Sequence, residues 1–151
     1  MLMKGTNGFS LVRKIINDNN IELIRNFIKR VPTIKEIDED VLKNIVMLYD
    51  NEGIKGIISY ETYMDKGLIR YFIFQKDVSF KDLKQLFETM LENAKKENIK
   101  TLLSVVDQKE LMNFFNNLGF VPYSVDDIYI DETSLGNTVY KKAQGMLYYV
   151  D

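Results

Sequence analysis

The segment LIRYFIF (68–74) is nearly all apolar or aromatic, as is TLLSVV (101–106), and a helical pattern lies between them. Leu83, Leu86, Phe87, Met90, Leu91 and Ala94 recur at helical spacing with charged residues opposite. Alternation is the mark of a strand wetted on one face; continuous apolar runs are the mark of strands covered on both. Two such strands joined through a helix form a parallel crossover, which is right-handed in nearly all proteins. No other feature narrows the fold as much, because it demands a sheet with helices packed on it.

The flanking sequence extends that sheet. FSLVRKII (9–16) predicts a strand, and Ile21, Ile24, Phe27, Ile28 and Val31 predict a helix stopped by Pro32. A shorter helix is predicted from Asp38 to about Met47, with Val41, Leu42, Ile45 and Val46 facing inward. VMLYD and IKGIISYETY then read as two strands joined by a turn at Asn51–Gly53, with a further turn at Lys66-Gly67. Ser79 and Asp82 have capping-box spacing at the start of the long helix, and Asn98 suits a left-handed position at its end. A last helix is predicted over Lys109–Leu118, burying Leu111, Phe114, Phe115 and Leu118, followed by strands at 125–130 and 146–150 and another near 138–141. Strands linked by short turns pair antiparallel, so the sheet is mixed and covered by helices on both faces. No repeat or low-complexity linker divides the chain, and one domain over 1–151 is expected.

Composition removes whole classes of chemistry. The chain has no Cys and no His, which excludes disulfides, thiolate nucleophiles and the usual neutral-pH base. No carboxylate cluster has metal-ligand spacing, so no metal is expected. Twenty basic and 22 acidic residues leave a net charge of −2 with no basic cluster, which gives no support to nucleic-acid binding. The N-terminal apolar run is too short for a signal peptide, and no segment approaches about 18 uninterrupted apolar residues. A soluble cytoplasmic protein with no membrane partner is the expectation.

IKGIISY (54–60), GLIRYFIF (67–74), the helix over 82–98, NIKTLLSVV (98–106) and FFNNLGF (114–120) together resemble the GNAT superfamily of acyl-CoA N-acyltransferases. The resemblance spans roughly residues 9–123. It implies an α/β (α+β) fold: a mixed, mostly antiparallel sheet of six to seven strands with about four helices on both faces. It also implies acetyl-CoA, or another acyl-CoA, as donor. The pantetheine arm would pair with the backbone of the fourth strand around Tyr71, Phe72, Ile73, Phe74 and Gln75. The pyrophosphate would lie at the start of the long helix, near Ser79, Phe80, Lys81 and Lys84, where free N–H groups and the helix dipole favour an anion. Gln108 would reach a pantetheine carbonyl.

Several positions depart from the family pattern. Val78 stands at the family's Arg/Gln position, and Lys81 and Leu83 stand where phosphate-loop glycines belong. Phe115 replaces a Tyr that often protonates the departing thiolate, and a phenyl ring has no proton to give. Ile69 and Arg70 sit where many members carry a strand carboxylate. Glu61 is then the candidate base, Tyr71 a candidate acid, with Tyr60, Tyr63 and Tyr123 as further possibilities. The acceptor would be an amine of a small molecule or peptide. The alternative is a catalytically impaired GNAT-like module used for ligand or protein binding. The C-terminal GMLYYVD offers Tyr148, Tyr149 and Val150 as an edge through which two copies could pair.

Overall fold

A computed structural model describes residues 4–5, 7–8, 11–14, 18–130, 132–138 and 141–150, with side chains from residue 21 onward except at Ile130. The elements are β1 (Lys4–Gly5), β2 (Asn7–Gly8), β3 (Leu11–Lys14), α1 (Asp18–Lys29), α2 (Glu39–Leu42), β4 (Val46–Asp50), β5 (Gly53–Tyr63) and β6 (Lys66–Phe74). Then come α3 (Phe80–Lys96), β7 (Thr101–Val106), α4 (Lys109–Leu118), β8 (Val121–Tyr123), β9 (Tyr129–Ile130), β10 (Thr133–Ser134) and β11 (Gln144–Tyr149). Four helices and a mostly antiparallel sheet make the α/β class anticipated from the sequence. The chain falls into two compact units, residues 1–61 with 70–93 and residues 62–69 with 94–151.

In the first unit β3, β4 and β5 pair antiparallel, with a register shift between Leu48 and Tyr49. One face of this sheet carries α1 and α2. Ile24, Phe27 and Ile28 close with Leu42, Ile45, Met47 and Ile57 into a core, against which Tyr71 and Ile73 also pack. Each fully buried side chain of this kind contributes about 1.5–3 kcal/mol. Neighbouring strand residues point to opposite faces. Gly56, next to Ile57, accordingly faces the other way, where a Cβ would meet Phe74 at 3.2 Å and Leu86 of α3 at 3.7 Å. Helices therefore cover both faces of this unit. Arg25 ties α1 to α2 through Glu39 at 2.7 Å. That bond holds the Glu39 carboxyl below its ordinary range.

In the second unit β6 and β7 pair in parallel, and β11 lies antiparallel between β7 and β8. Leu68, Leu103, Val125, Ile128, Leu135 and Leu147 form its core on one face. Tyr148, one residue on from Leu147, turns to the other face and meets Phe120 at 5.1 Å between ring centroids.

Three local expectations change. The helix expected over 38–47 closes after one turn, at Leu42, and Val46 already belongs to β4. Ile45, Val46, Met47 and Leu48 are all buried, and four apolar residues in a row do not distinguish a helix from a strand. The turn expected at Lys66-Gly67 falls instead at Met64-Asp65, with Met64 at φ 58° and Gly67 inside β6. The strand expected at 125–130 begins as a 3₁₀ turn over Val125–Asp127, because the Ser124 hydroxyl accepts the Asp126 N–H. Residues 139 and 140 of the strand expected near 138–141 lie outside the described residues, as do parts of the one expected at 9–16.

Candidate functional site

Strand β6 changes character along its length. Leu68 and Ile69 are buried, whereas Arg70, Tyr71, Phe72, Ile73, Phe74 and Gln75 are all half-buried. The parallel ladder pairs Lys66, Gly67 and Leu68 with Thr101, Leu102 and Leu103, and it extends no further along β6. Tyr71 takes φ 53°, a left-handed conformation that a residue with a bulky side chain adopts only where its surroundings enforce it. Arg70 and Tyr71, although adjacent, both reach Asp38: the guanidinium stands 3.8 Å from its carboxylate, and the Tyr71 hydroxyl accepts its N–H at 2.7 Å. Two consecutive side chains on one side, with a positive φ between regular stretches, make a β-bulge.

Around the bulge lies a small charged cluster. Arg70 donates to Glu61 at 2.6 Å, and 27% of each side chain is exposed. The Arg70 guanidinium also sits 5.4 Å from the centroid of the Tyr71 ring. Asp38 uses its other oxygen to cap α2, accepting from the Asp40 N–H at 3.2 Å. The structure thus brings the two sequence candidates, Glu61 and Tyr71, onto one cluster through Arg70 and Asp38. Reading the sequence did not identify those two connecting residues. No sequence signal places Asp38 beside Tyr71, since the two are 33 positions apart. In one respect the sequence was informative: it put Arg70 where a carboxylate would stand.

Phe72 and Phe74 lie on one face of β6, their rings 5.0 Å apart. The Gln75 N–H is bonded to the Lys55 carbonyl at 2.9 Å, which fixes the strand's end. Four residues later Ser79 caps α3, its hydroxyl accepting the Asp82 N–H at 3.1 Å. That is one of the donors a helix start leaves over, and the N–H groups of Phe80 and Lys81 are not taken by this cap. Lys81, Lys84 and Phe80 are exposed around it.

Phe115 is elsewhere in character. It is 1% exposed and packs edge-on against Phe120, with centroids 5.0 Å apart, and against Phe114 at 5.5 Å. Gly119 is left-handed at φ 110°, and the N–H groups of Gly119 and Phe120 return to the carbonyls of Asn116 and Phe115 at 3.0 Å. This is a Schellman helix end with its hydrophobic contact. The FFNNLGF segment is first of all a helix stop. Gln108 occupies the N-cap position of α4, yet its side chain makes no capping bond. β11 is flanked by both neighbours over Gly145–Leu147, and the expected edge residues Tyr148, Tyr149 and Val150 all lie past the β8 ladder, the first two still paired with β7 and the Val150 N–H bonded to the Lys100 carbonyl at 2.9 Å. Among the described residues no group of three His, Cys, Asp or Glu side chains is placed to hold a metal, and no helix is long and apolar enough to cross a membrane.

No family model matches the chain. The uncharacterized protein YwlB of Bacillus subtilis (strain 168) is 25% identical over 142 residues, covering 87% of this chain and 97% of that protein. Among solved structures, N-acetylglutamate synthase from Neisseria gonorrhoeae, complexed with coenzyme A and N-acetyl-glutamate, superposes with a TM-score of 0.69 at 14% identity over 96% of this chain. The chain spans only 37% of the length of that synthase. A GNAT-family acetyltransferase from Staphylococcus aureus Mu50 gives a TM-score of 0.66 at 16% identity, covering 94% of this chain and 99% of its own. The ribosomal-protein-S18-alanine N-acetyltransferase from Escherichia coli gives 0.65 at 11% identity, with 95% of each chain covered.

Proposed function

This chain has the GNAT fold, and from that premise we propose that it is an N-acyltransferase moving an acetyl or other acyl group from coenzyme A to an amine of a small molecule or peptide. The single observation that carries the reading is the bulged, half-buried second half of β6, which lies beyond the parallel ladder. Main-chain donors and acceptors freed from a ladder suit the amide-rich pantetheine arm, as an added strand suits a sheet edge. The N–H groups of Phe80 and Lys81, with the Lys81 and Lys84 ammonium groups nearby, suit the pyrophosphate in place of the family's glycines. Acyl-CoA supplies the activated carbonyl.

The protein's own groups then divide the work. The Ile73 or Phe74 N–H donates to the thioester oxygen as charge gathers on it. Glu61, or a water beside it, accepts the proton that the ammonium must lose before its nitrogen can attack, while Arg70 holds the Glu61 carboxylate in place. A carbon–nitrogen bond forms and the carbon–sulfur bond breaks, and the second proton that the nitrogen sheds after attack passes to water. Because a thiol of pKa about 8.5 leaves readily as thiolate, no acid is needed where Phe115 stands. Tyr71 is held in place by the hydrogen bond it accepts from the Asp38 N–H.

The test is unfolding with and without acetyl-CoA, followed by thiol release with a panel of amines. Saturation at 100 times the dissociation constant adds about 2.7 kcal/mol of stability. No shift at millimolar acetyl-CoA defeats the proposal.

A further inference from the structure

A cavity of about 350 Å³ lies in the first unit, and the Glu61–Arg70 cluster contributes nothing to its lining. One wall is formed by Leu23 and Asn26 of α1 and by Arg30, the residue that follows the helix. The floor is apolar: Met47 is 3% exposed, with Tyr49 and Ile54 beside it. Leu23 on the rim is 56% exposed, a large apolar side chain left to water beside an apolar floor. At the tip of the β4–β5 turn Gly53 takes φ 123°, and a Cβ built there would meet nothing within 4 Å, so the mouth is open on that side.

Charges of both signs stand around the mouth. Glu52 pairs with Lys55 at 2.9 Å, and the same ammonium stands 4.0 Å from Asp50. Arg30 lies 5.5 Å from the Phe27 ring and makes no ion pair among the described residues. Stacking on a ring leaves the guanidinium edge, with its forked donors, for a planar acceptor. An apolar floor of this size with one oriented cation and the amides of Asn26 and Gln75 has the make-up of a small-ligand site.

We propose that this cavity binds a small carboxylate with a flat or branched apolar body, the carboxylate meeting Arg30 and the body covering Leu23 and Ile54. The inference is independent of acyl transfer, since neither Glu61 nor the start of α3 takes part. Gln75 is common to both regions, as it lines the cavity and ends β6.

Phenylacetate titrated into the ¹⁵N-labelled full chain to millimolar concentration tests it. Saturable shifts are expected at the amides of Leu23, Gly53, Ile54 and Gln75. Binding is expected to weaken by about tenfold or more in Arg30→Gln, since a charge-assisted hydrogen bond is lost. Arg30 is exposed, so that variant keeps its fold, which its spectrum reports directly. Asn26→Trp, filling the mouth from the helix side, is expected to abolish the shifts. Absence of saturable shifts, equal binding by Arg30→Gln, or equal binding of neutral phenylacetamide overturns the proposal.

Discussion

The two halves of β6 share one strand and almost one composition, yet they are used differently. Lys66–Leu68 sit in a regular parallel ladder, and Leu68 belongs to a closed core. Arg70–Gln75 are half-buried, bulged at Tyr71 and carry the charged cluster. Apolar residues fill both halves, so hydrophobicity alone does not separate scaffold from site. Backbone pairing does. The first half spends its hydrogen bonds on the sheet, and the second keeps part of its main chain out of the ladder at the cost of a strained residue.

Leu68→Ala is expected to show the difference most strongly. It removes a side chain that is 4% exposed and should cost about 2–5 kcal/mol. Ile73→Ala in the other half, partly exposed to begin with, should cost less than half as much in the same urea titration. Equal losses would erase the contrast. Phe115→Tyr comes next. Its hydroxyl would enter an aromatic cluster where the present ring is 1% exposed, and leaving it without a partner should cost about 1–3 kcal/mol. Thiol release should not rise, and a faster rate would restore a role for an acid at that position.

A smaller effect is expected for Tyr71→Phe, which removes the acceptor of the Asp38 N–H at 2.7 Å and should cost about 1 kcal/mol. It should reduce acyl transfer only as far as it loosens the bulge, so a collapse of turnover with unchanged stability would mark the hydroxyl as an acid. The smallest effect concerns the Glu39–Arg25 bond outside β6. Hydrogen bonding by Arg25 lowers the Glu39 pKa. The pair therefore adds stability above the carboxylate's unfolded value, and that stability is lost as pH falls through the lowered one. Arg25→Gln should flatten this acid-side loss in denaturant midpoints. An unchanged acid limb would show the pair to be a surface contact without consequence.

Sequence patterning was strongest where periodicity was long. The crossover from Leu68 through the Leu83–Ala94 stripe to Val106 reads off directly, as do α4 and its Gly119 stop. Asn98 is left-handed at φ 63°, as its residue type suggested. The bulge was not legible. Only Gly, Asn or Asp advertises a positive φ, and Tyr71 takes one because Asp38 and the α1-side core hold it there. The short α2 was misread because Ile45–Leu48 is apolar in either conformation. Glu61 was legible as the candidate base, but its partner Arg70 came from topology. Such a pairing between strands leaves no mark in a single sequence.

The most direct measurement is amide hydrogen exchange along β6 with and without saturating acetyl-CoA. Protection is expected to rise within Tyr71–Phe74, which lies beyond the β7 ladder, and to stay as it was over Lys66–Leu68, already paired with β7, and at Gln75, whose N–H is already bonded to the Lys55 carbonyl. Unchanged exchange over Tyr71–Phe74 at millimolar acetyl-CoA would contradict the claim that this half of the strand is the acyl-CoA platform.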